Sequence, residues 1–300
     1  MQVVAVINQK GGVGKTTSCV NLGAAVAMEG RRTLLIDLDP QAHLSISFDA
    51  MPEPGEPSVY TMLAGEHAAA EVRRETGVAG LTILPTNLDL TGAETEFSSE
   101  IGRETLLRNA LEKFAGSEAA PELVLLDCPP SLGLLSLNAM VAAQHVLVPV
   151  QAEFFALQGM AQLLDVVQRV QRRINPQLEL VGILVGMFAK QRNLSREVLE
   201  ELRAHFDDQL FRTLVRVNVR LAEAPSHAKT IFEYAPESGA AQDFRAVARE
   251  LMRRVGLPSA ASQPPQQPPE PAIAAKDEPA TPAGAPPAIA EPALREREAG

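Results

Sequence analysis

The sequence has no tryptophan, few aromatic residues and only two cysteines among its 300 residues. Cys19 and Cys128 are too few for a disulfide framework, and their spacing matches no metal site. No apolar run reaches the roughly 20 residues that a membrane-spanning helix needs. The chain also opens on an apolar segment rather than on a basic leader with a cleavage site. We therefore expect a cytoplasmic protein and no membrane partner.

A general excess of basic residues is also missing, because the formal net charge is −10. This argues against a protein that is basic over its whole surface, as many nucleic-acid-binding proteins are. The charge is uneven, however, since residues 190–254 carry twelve basic and ten acidic side chains. Arg245, Arg249 and Arg253 form a basic stripe in that segment, a pattern more typical of a solvated helix face than of a binding site.

Composition changes sharply near residue 257. Residues 258–300 contain 11 of the 23 prolines and no aromatic residue. Such a segment cannot bury enough apolar area to offset the entropy lost on ordering. We therefore expect one globular domain over residues 1–257, followed by a disordered Pro/Ala-rich tail over residues 258–300.

Within the first 257 residues, short apolar segments alternate with helical patterns. The segments predicted as strands are residues 3–7, 33–36, 81–84, 123–126, 146–150 and 180–185. This alternation predicts a doubly wound α/β fold, with a mostly parallel sheet and crossover helices on both faces. Ligands of such sheets bind at the carboxyl ends of the strands, so the loops that follow the strands are the candidate site.

The first of these loops contains three glycines and two lysines. It reads Gln9-Lys10-Gly11-Gly12-Val13-Gly14-Lys15-Thr16-Thr17. The glycines allow backbone N–H groups to converge on phosphate oxygens, because a Cβ would obstruct the approach. Lys15 reaches the terminal phosphates, Thr16 offers a hydroxyl to Mg²⁺, and the following helix points its positive end at the nucleotide. The whole run from Lys10 to Thr17 therefore predicts a triphosphate site.

The loop departs from the general phosphate-loop pattern at two neighbouring positions. Gln9 stands where the pattern has a glycine, and Lys10 adds a second lysine. Because Lys15 already serves the phosphates of its own subunit, Lys10 needs a role of its own. The alternative is a solvated lysine at the edge of the loop.

With this loop, the chain resembles the ParA/MinD class of ATPases, whose phosphate loop is a deviant Walker A motif. Other segments resemble the chromosomal ParA (Soj-like) branch, and the resemblance covers roughly residues 1–256. These segments are Asp37-Leu38-Asp39-Pro40-Gln41, residues 123–131, Pro149-Val150-Gln151 with Phe154 and Gln158-Gly159, Asn193-Leu194-Ser195, and residues 218–227. The resemblance implies a P-loop NTPase fold and slow, Mg²⁺-dependent hydrolysis of ATP.

The resemblance also implies catalytic roles for Lys10, Lys15 and Asp39. Asp39 corresponds to the switch aspartate that orients the attacking water. Lys10 corresponds to the lysine that reaches across an ATP-dependent homodimer to the partner's nucleotide. An ammonium group supplied by a partner would stabilise charge on the transferring oxygens, as an arginine finger does.

Two further aspartates are candidates for the metal site. Asp127 ends an all-apolar strand, where a carboxylate is costly to bury unless it faces Mg²⁺ and its waters. We therefore predict that Asp127 binds the metal through water while Thr16 contacts it directly. An aspartate that caps the next turn is the alternative. Asp37 supports either the outer metal shell or the loop.

The resemblance implies that Arg220 binds DNA. Lys190-Gln191-Arg192-Asn193 departs by one position from the family's Arg-Thr-Asn order, so either Lys190 or Arg192 takes the second DNA-binding role. The predicted function is partition of a chromosome or plasmid. ATP-bound dimers would bind non-specific double-stranded nucleoid DNA, and a ParB-like partner would stimulate hydrolysis and release them.

Four other functions are alternatives to partition. A related positioning ATPase with a protein cargo differs only in its partner. A MinD-like membrane switch requires an amphipathic C-terminal helix, which the proline-rich end does not resemble. A nitrogenase-type iron protein needs cluster cysteines at other positions. A metabolic P-loop synthetase needs a small-acid site, and no segment of the sequence suggests one.

Overall fold

The computed structural model describes residues 1–116, 120–153 and 156–258 of the chain. They belong to one compact unit, Met1–Pro264. Phe154 and all but the first residue of the predicted tail lie outside the described residues.

The described residues form a seven-stranded sheet with the order β3-β4-β2-β5-β1-β6-β7. All neighbouring pairs are parallel except β3 and β4. The strands are β1 (Gln2–Val6), β2 (Thr33–Asp37), β3 (Arg74–Glu75), β4 (Leu81–Leu84), β5 (Leu123–Asp127), β6 (His145–Gln151) and β7 (Glu179–Gly186). The predicted doubly wound, mostly parallel α/β fold is confirmed.

Helices cover both faces of this sheet. They are α1 (Lys15–Met28), α2 (His43–Ile46), α3 (Val59–Leu63), α4 (Ala69–Val72), α5 (Ala93–Glu96), α6 (Leu106–Ala115), α7 (Leu134–Ala142), α8 (Ala156–Arg173), α9 (Asn193–Phe206), α10 (Val219–Glu223), α11 (Ile231–Tyr234) and α12 (Gly239–Arg254). Five short 3₁₀ turns lie at Leu88–Gly92, Phe97–Ser99, Arg103–Thr105, Asp207–Gln209 and Ala224–His227.

The core consists of two apolar layers, one on each face of the sheet. Along β1, Val3 and Ala5 belong to the layer beneath α6 and α7, whereas Val4 and Val6 belong to the layer beneath α1 and α12. Successive side chains of a strand point to opposite faces, so a strand covered on both faces must be apolar at every position. This explains why the central strands appear in the sequence as unbroken apolar runs.

The predicted strands agree with the structure to within about one residue at most ends, and only β3 was missed. That strand has two polar residues, Arg74 and Glu75, paired antiparallel with Ile83 and Thr82 at the edge of the sheet. A two-residue polar strand has no periodic apolar signal. Its charges suit an edge position, where they discourage pairing with another chain.

Gly182 of β7 provides a test of how tightly the last strand packs. A Cβ at this position would lie 2.6 Å from Phe211 Cε2 and 2.8 Å from the Gln209 carbonyl oxygen. We expect Gly182→Ala to lower the free energy of unfolding by roughly 1–3 kcal/mol, the usual cost of overpacking. Denaturant titration measures this change.

Gly116→Ala is the matched control, because a Cβ at Gly116 would meet no atom within 4 Å. A surface change of this kind alters stability by about 0.5 kcal/mol or less. Equal effects of the two substitutions would contradict the packing described for β7.

Candidate nucleotide-binding site

Strand register brings the predicted site residues to one edge of the sheet. Asp127, the last residue of β5, is paired in register with Asp37 of β2 on one side and with Val6 of β1 on the other. The phosphate loop follows directly after β1. The loop and the two aspartates are therefore neighbours, as expected for the carboxyl ends of parallel strands.

The phosphate loop has the backbone conformation that its glycines predict. Gly12 and Gly14 have φ angles of 74° and 91°, in the region that residues with a Cβ rarely adopt. Asn8 anchors the loop to β6, because its Nδ2 donates to the Pro149 carbonyl at 2.7 Å. Its Oδ1 accepts from the Lys10 backbone N–H at 3.0 Å. The α-helix α1 begins immediately after Gly14.

The two lysines of the loop have different surroundings. Lys15 is only 7% exposed, and its Nζ donates to the Lys10 carbonyl at 3.3 Å. The Lys10 side chain is 45% exposed and forms an ion pair with Glu153 of the same chain. Lys15 thus lies inside the loop, whereas the Lys10 ammonium lies on its outer side.

A cavity of about 470 Å³ opens over the loop. That volume falls within the range of about 300–1,000 Å³ typical of small-molecule sites. Residues 11–18 and Asp39 line one part of it. The other lining residues include Gly186 and several to which the sequence analysis gave no role in binding. These are Gln41, His43, Pro130, Pro149, Leu184, Met187, Val215, Arg216, Asn218, Leu221, Ala222 and Phe244.

The unassigned residues come from strands, loops and helices far apart in the sequence. Asn218, Leu221 and Ala222 lie in residues 218–227, which resemble the ParA family. That resemblance was the only sign in the sequence that they belong to the site. Met187 has a left-handed φ of 49° just after β7. Non-glycine residues with such angles cluster at functional sites, but the sequence does not reveal them.

Asp127 is fully buried, and neither oxygen of its carboxylate has a hydrogen-bond partner among the described residues. Burial, followed by the nearby charge of Asp37, raises the pKa of Asp127 well above its usual range. Thr16 and Lys15 lie close enough to oppose that rise in part. A buried carboxylate with both oxygens unsatisfied fits a cation and its waters.

Within the described part of the chain, no three His, Cys, Asp or Glu side chains form a protein-only metal cage. Mg²⁺ usually keeps several waters and takes only one or two protein ligands beside the phosphates of its nucleotide. A Thr16 hydroxyl that binds the metal directly and an Asp127 carboxylate that binds it through water therefore fit Mg²⁺ bound together with a nucleotide.

Asp37, by contrast, already has protein partners for both carboxylate oxygens. Oδ2 accepts from the Ser45 backbone N–H at 2.8 Å and from Ser45 Oγ at 2.7 Å. Oδ1 accepts from the Asp39 backbone N–H at 3.2 Å. Burial raises the pKa of Asp37 to about 7, although the Ser45 bonds oppose this. Of the two roles predicted for Asp37, these bonds favour support of the loop.

Asp39 lies in the turn that Asp37 supports, and it lines the cavity. It is 9% exposed, and its Oδ1 accepts from the Gln41 backbone N–H at 3.0 Å. It shares the cavity wall with the phosphate loop and His43, which is compatible with the predicted role in orienting water.

The candidate DNA-binding residues lie on two adjacent segments. Arg220 is exposed at the start of α10, where Asn218 Oδ1 accepts its backbone N–H at 3.0 Å. Lys190 and Arg192 are exposed in the segment between β7 and α9. The Phe188 N–H donates to the Val215 carbonyl and the Val217 N–H donates to the Phe188 carbonyl, so the two segments lie side by side.

Two arginines of the stripe on α12 have partners within their own domain. Arg249 Nε donates to Glu29 Oε1 at 2.8 Å. The Arg245 guanidinium lies 5.2 Å from the centre of the Phe232 ring. This supports the interpretation of the stripe as a helix face rather than a binding site.

The raised pKa of Asp37 predicts a pH dependence of stability for the protein without nucleotide. The folded state holds this proton more firmly than the unfolded state, whose carboxyl titrates near 3.8. The free energy of unfolding should therefore fall as pH rises from about 4 to about 7, by at most about 1.4 kcal/mol per pH unit from this group. Denaturant titrations between pH 5 and 8 measure the slope.

Asp37→Asn should make that slope shallower, because the titrating group is gone while Asp127 remains. Identical slopes in the variant and the parent protein would show that Asp37 has an ordinary pKa.

Comparisons with known sequences and structures give relatives that are ATPases or that bind nucleotides. A protein-family model described as an AAA domain matches residues 1–180. The chain is 46% identical to the chromosome-partitioning ATPase Soj of Thermus thermophilus over 84% of this chain and 96% of that protein. It is 40% identical to the sporulation initiation inhibitor protein Soj of Bacillus subtilis over 83% of this chain and 98% of that protein.

A solved structure of cobyrinic acid a,c-diamide synthase from Mycobacterium smegmatis, with bound ADP and magnesium, is also similar. It is 36% identical, with a TM-score of 0.72 over 84% of this chain and 94% of that chain. ATP and Mg²⁺, predicted from the loop and the resemblance, are thus ligands of this class of ATPases. No helix among the described residues is long and apolar enough to cross a membrane. The phosphate loop, the buried Asp127 and the extent of the similarity to its relatives show that the chain belongs to the ParA/Soj family of partitioning ATPases.

Proposed function

We propose that this protein is an ATP-hydrolysing partition protein whose ATP-bound dimer binds non-specific double-stranded DNA. A ParB-like partner would stimulate hydrolysis and so release the dimer from nucleoid DNA. The observation that carries the proposal is the arrangement of the two loop lysines. Lys15 is buried against the phosphate loop, whereas Lys10 lies on its outer side, where a second protomer could approach.

Within one protomer, the chain's own residues bind and orient the nucleotide. Lys15 and the backbone N–H groups of the loop bind the phosphates, and Thr16 with Asp127 holds Mg²⁺. When bound, the metal ion neutralises charge on the phosphate oxygens. Asp39 orients the attacking water from a turn whose position depends on Asp37. Because phosphoryl transfer needs mainly positioning and charge neutralisation, this small set of groups suffices for slow hydrolysis.

Lys10 must leave Glu153 to reach the nucleotide of a partner. Both side chains of this ion pair are 45% exposed. Exposed pairs of this kind contribute only about 0–1 kcal/mol, so exchange of the carboxylate for a phosphate is not costly. Dimer formation and the arrival of a second ammonium at the reacting phosphate would then be the same event.

DNA binding by one protomer should be weak. A few exposed cations such as Arg220, with Lys190 or Arg192, give salt-sensitive binding with constants of about 10⁻⁴ to 10⁻⁶ M. Pairing two such surfaces in a dimer adds roughly 10²-fold or more through effective concentration. DNA binding should therefore follow the nucleotide state.

A positioning ATPase with a protein cargo would use the same residues, and only its partner would differ. A synthase activity is suggested by the name of the Mycobacterium smegmatis structure at 36% identity. Partition is the better-supported proposal, because the curated relatives with partitioning names reach 46% identity over most of the chain.

The proposal predicts different consequences for the two lysines in an Asp39→Ala background, which blocks hydrolysis. Lys15→Ala should abolish ATP binding, and with it both dimers and DNA binding. Lys10→Ala should still bind ATP, because its ammonium lies outside the loop, but should neither dimerise nor bind duplex DNA. Calorimetry, sedimentation and DNA mobility shifts measure the three steps separately.

Lys113→Ala, which removes an exposed lysine of α6, is the control for loss of a single charge. A Lys10→Ala protein that still forms ATP-dependent dimers on DNA would contradict the proposed role of Lys10. A parent protein that dimerises with ATP but never binds DNA would contradict the partition proposal itself.

A further inference from the structure

The short helix α10 contributes residues both to the nucleotide cavity and to the exposed surface. Leu221 and Ala222 line the nucleotide cavity, as does Asn218 just before the helix. Arg220 and Glu223 lie on the same helix at positions i and i+3, and their side chains are 58% and 39% exposed. The candidate DNA-binding arginine therefore has an acidic neighbour on its own helix.

One carboxylate oxygen of Glu223 is shared by two donors. Glu223 Oε2 accepts from Arg220 Nη1 at 3.0 Å and from Tyr234 Oη at 3.0 Å. The guanidinium carbon of Arg220 lies 5.9 Å from the centre of the Tyr234 ring. Arg220 and Tyr234 therefore meet at the Glu223 carboxylate.

Glu223 is held more firmly than Arg220. Tyr234 is half-buried at the end of α11, and its ring stacks on His227 with centroids 5.1 Å apart. Ser226 Oγ donates to the Glu223 carbonyl at 2.7 Å, which fixes the backbone beneath the carboxylate. The carboxylate is thus anchored from the protein side, while the guanidinium remains at the surface.

We propose that Glu223, anchored by Tyr234, competes with DNA phosphates for Arg220 and thereby lowers the DNA affinity of each protomer. The inference rests on the proposed function, in which Arg220 contacts DNA. A guanidinium binds a phosphate best through two parallel N–H donors. A phosphate at Arg220 must displace or share the donor that Glu223 holds, and it also meets the repulsion of the carboxylate charge.

The expected effect is modest for one protomer and larger for a dimer. Exposed ion pairs contribute about 0.2–1 kcal/mol, which corresponds to roughly 1.4- to 5-fold in affinity. A dimer presents the pair twice, so removing the competition should strengthen its DNA binding by roughly 2- to 30-fold. Glu223 would thus weaken the DNA binding of both forms, and a dimer would still bind more tightly than one protomer because it contacts DNA at two sites.

The test is Glu223→Gln in the Asp39→Ala background, with ATP and a short duplex at two salt concentrations. Glutamine keeps the size and the acceptor oxygen but removes the charge. We expect DNA binding that is about 2- to 30-fold tighter than in the parent. The matched control is Asp165→Asn, which breaks the exposed Asp165–Arg169 pair of α8 and changes the net charge equally. We expect less than a 2-fold effect from it.

Tyr234→Phe provides a second, milder variant, because it removes the hydroxyl that donates to Glu223 and keeps the ring beside Arg220. It should tighten DNA binding slightly in the parent and have a smaller effect when Glu223 is glutamine, because the side chain at position 223 then has no charge that competes for Arg220. An equal effect of Tyr234→Phe in both backgrounds would show that Tyr234 does not act through Glu223 and would overturn that part of the inference.

Arg220→Ala separates failure of this inference from failure of the proposed function. Suppose that Arg220→Ala weakens DNA binding while Glu223→Gln binds DNA no more tightly than Asp165→Asn. Glu223 then does not compete with DNA for Arg220, although Arg220 does contact DNA. If Arg220→Ala leaves DNA affinity unchanged, Arg220 is not the DNA contact and the inference falls with it.

Discussion

The site is arranged around the carboxyl group of Asp127, which is fully buried at the edge of the sheet. Asp127 ends the central strand β5 beside Lys15 and Thr16, and within the described part of the chain neither of its oxygens has a hydrogen bond of normal geometry. The ionised form of such a group is costly in the folded protein unless a cation meets it. The sheet order places β5 between β1 and β2, so the phosphate loop and the switch aspartates converge on this one carboxylate. The metal ion of a bound nucleotide would supply the positive charge that the Asp127 carboxylate needs in order to be ionised.

The same constraint separates the roles of the neighbouring charges. Asp37 accepts three hydrogen bonds and so supports the turn that carries Asp39. Lys15 is buried where the phosphates would lie, whereas Lys10 lies outside the loop in a weak, exposed pair with Glu153. Asp37, whose hydrogen bonds are all made within the protein, holds the site in shape. Lys10 and Arg220 have only exposed ion pairs that another molecule can replace, and they are the residues proposed to contact a partner or DNA.

The sequence was sufficient to predict the central strands and the phosphate loop, because both depend on local patterns. Unbroken apolar runs indicate strands covered on both faces, and glycines at fixed spacing indicate a loop that approaches phosphates. The polar edge strand β3 had no such signal. Met187 and Phe244 were missed at the cavity because neither residue type indicates a binding role. The pairs Lys10–Glu153 and Tyr234–Glu223 depend on tertiary contacts, which spacing alone does not reveal.

The most direct test of the account is the Mg²⁺ dependence of ATP binding, measured by calorimetry for the parent protein and for Asp127→Asn. The asparagine keeps the size of the side chain but removes the charge that the cation is expected to meet. We expect Mg²⁺ to strengthen ATP binding in the parent and most of this gain to disappear in the variant. An equal gain from Mg²⁺ in both proteins would contradict it.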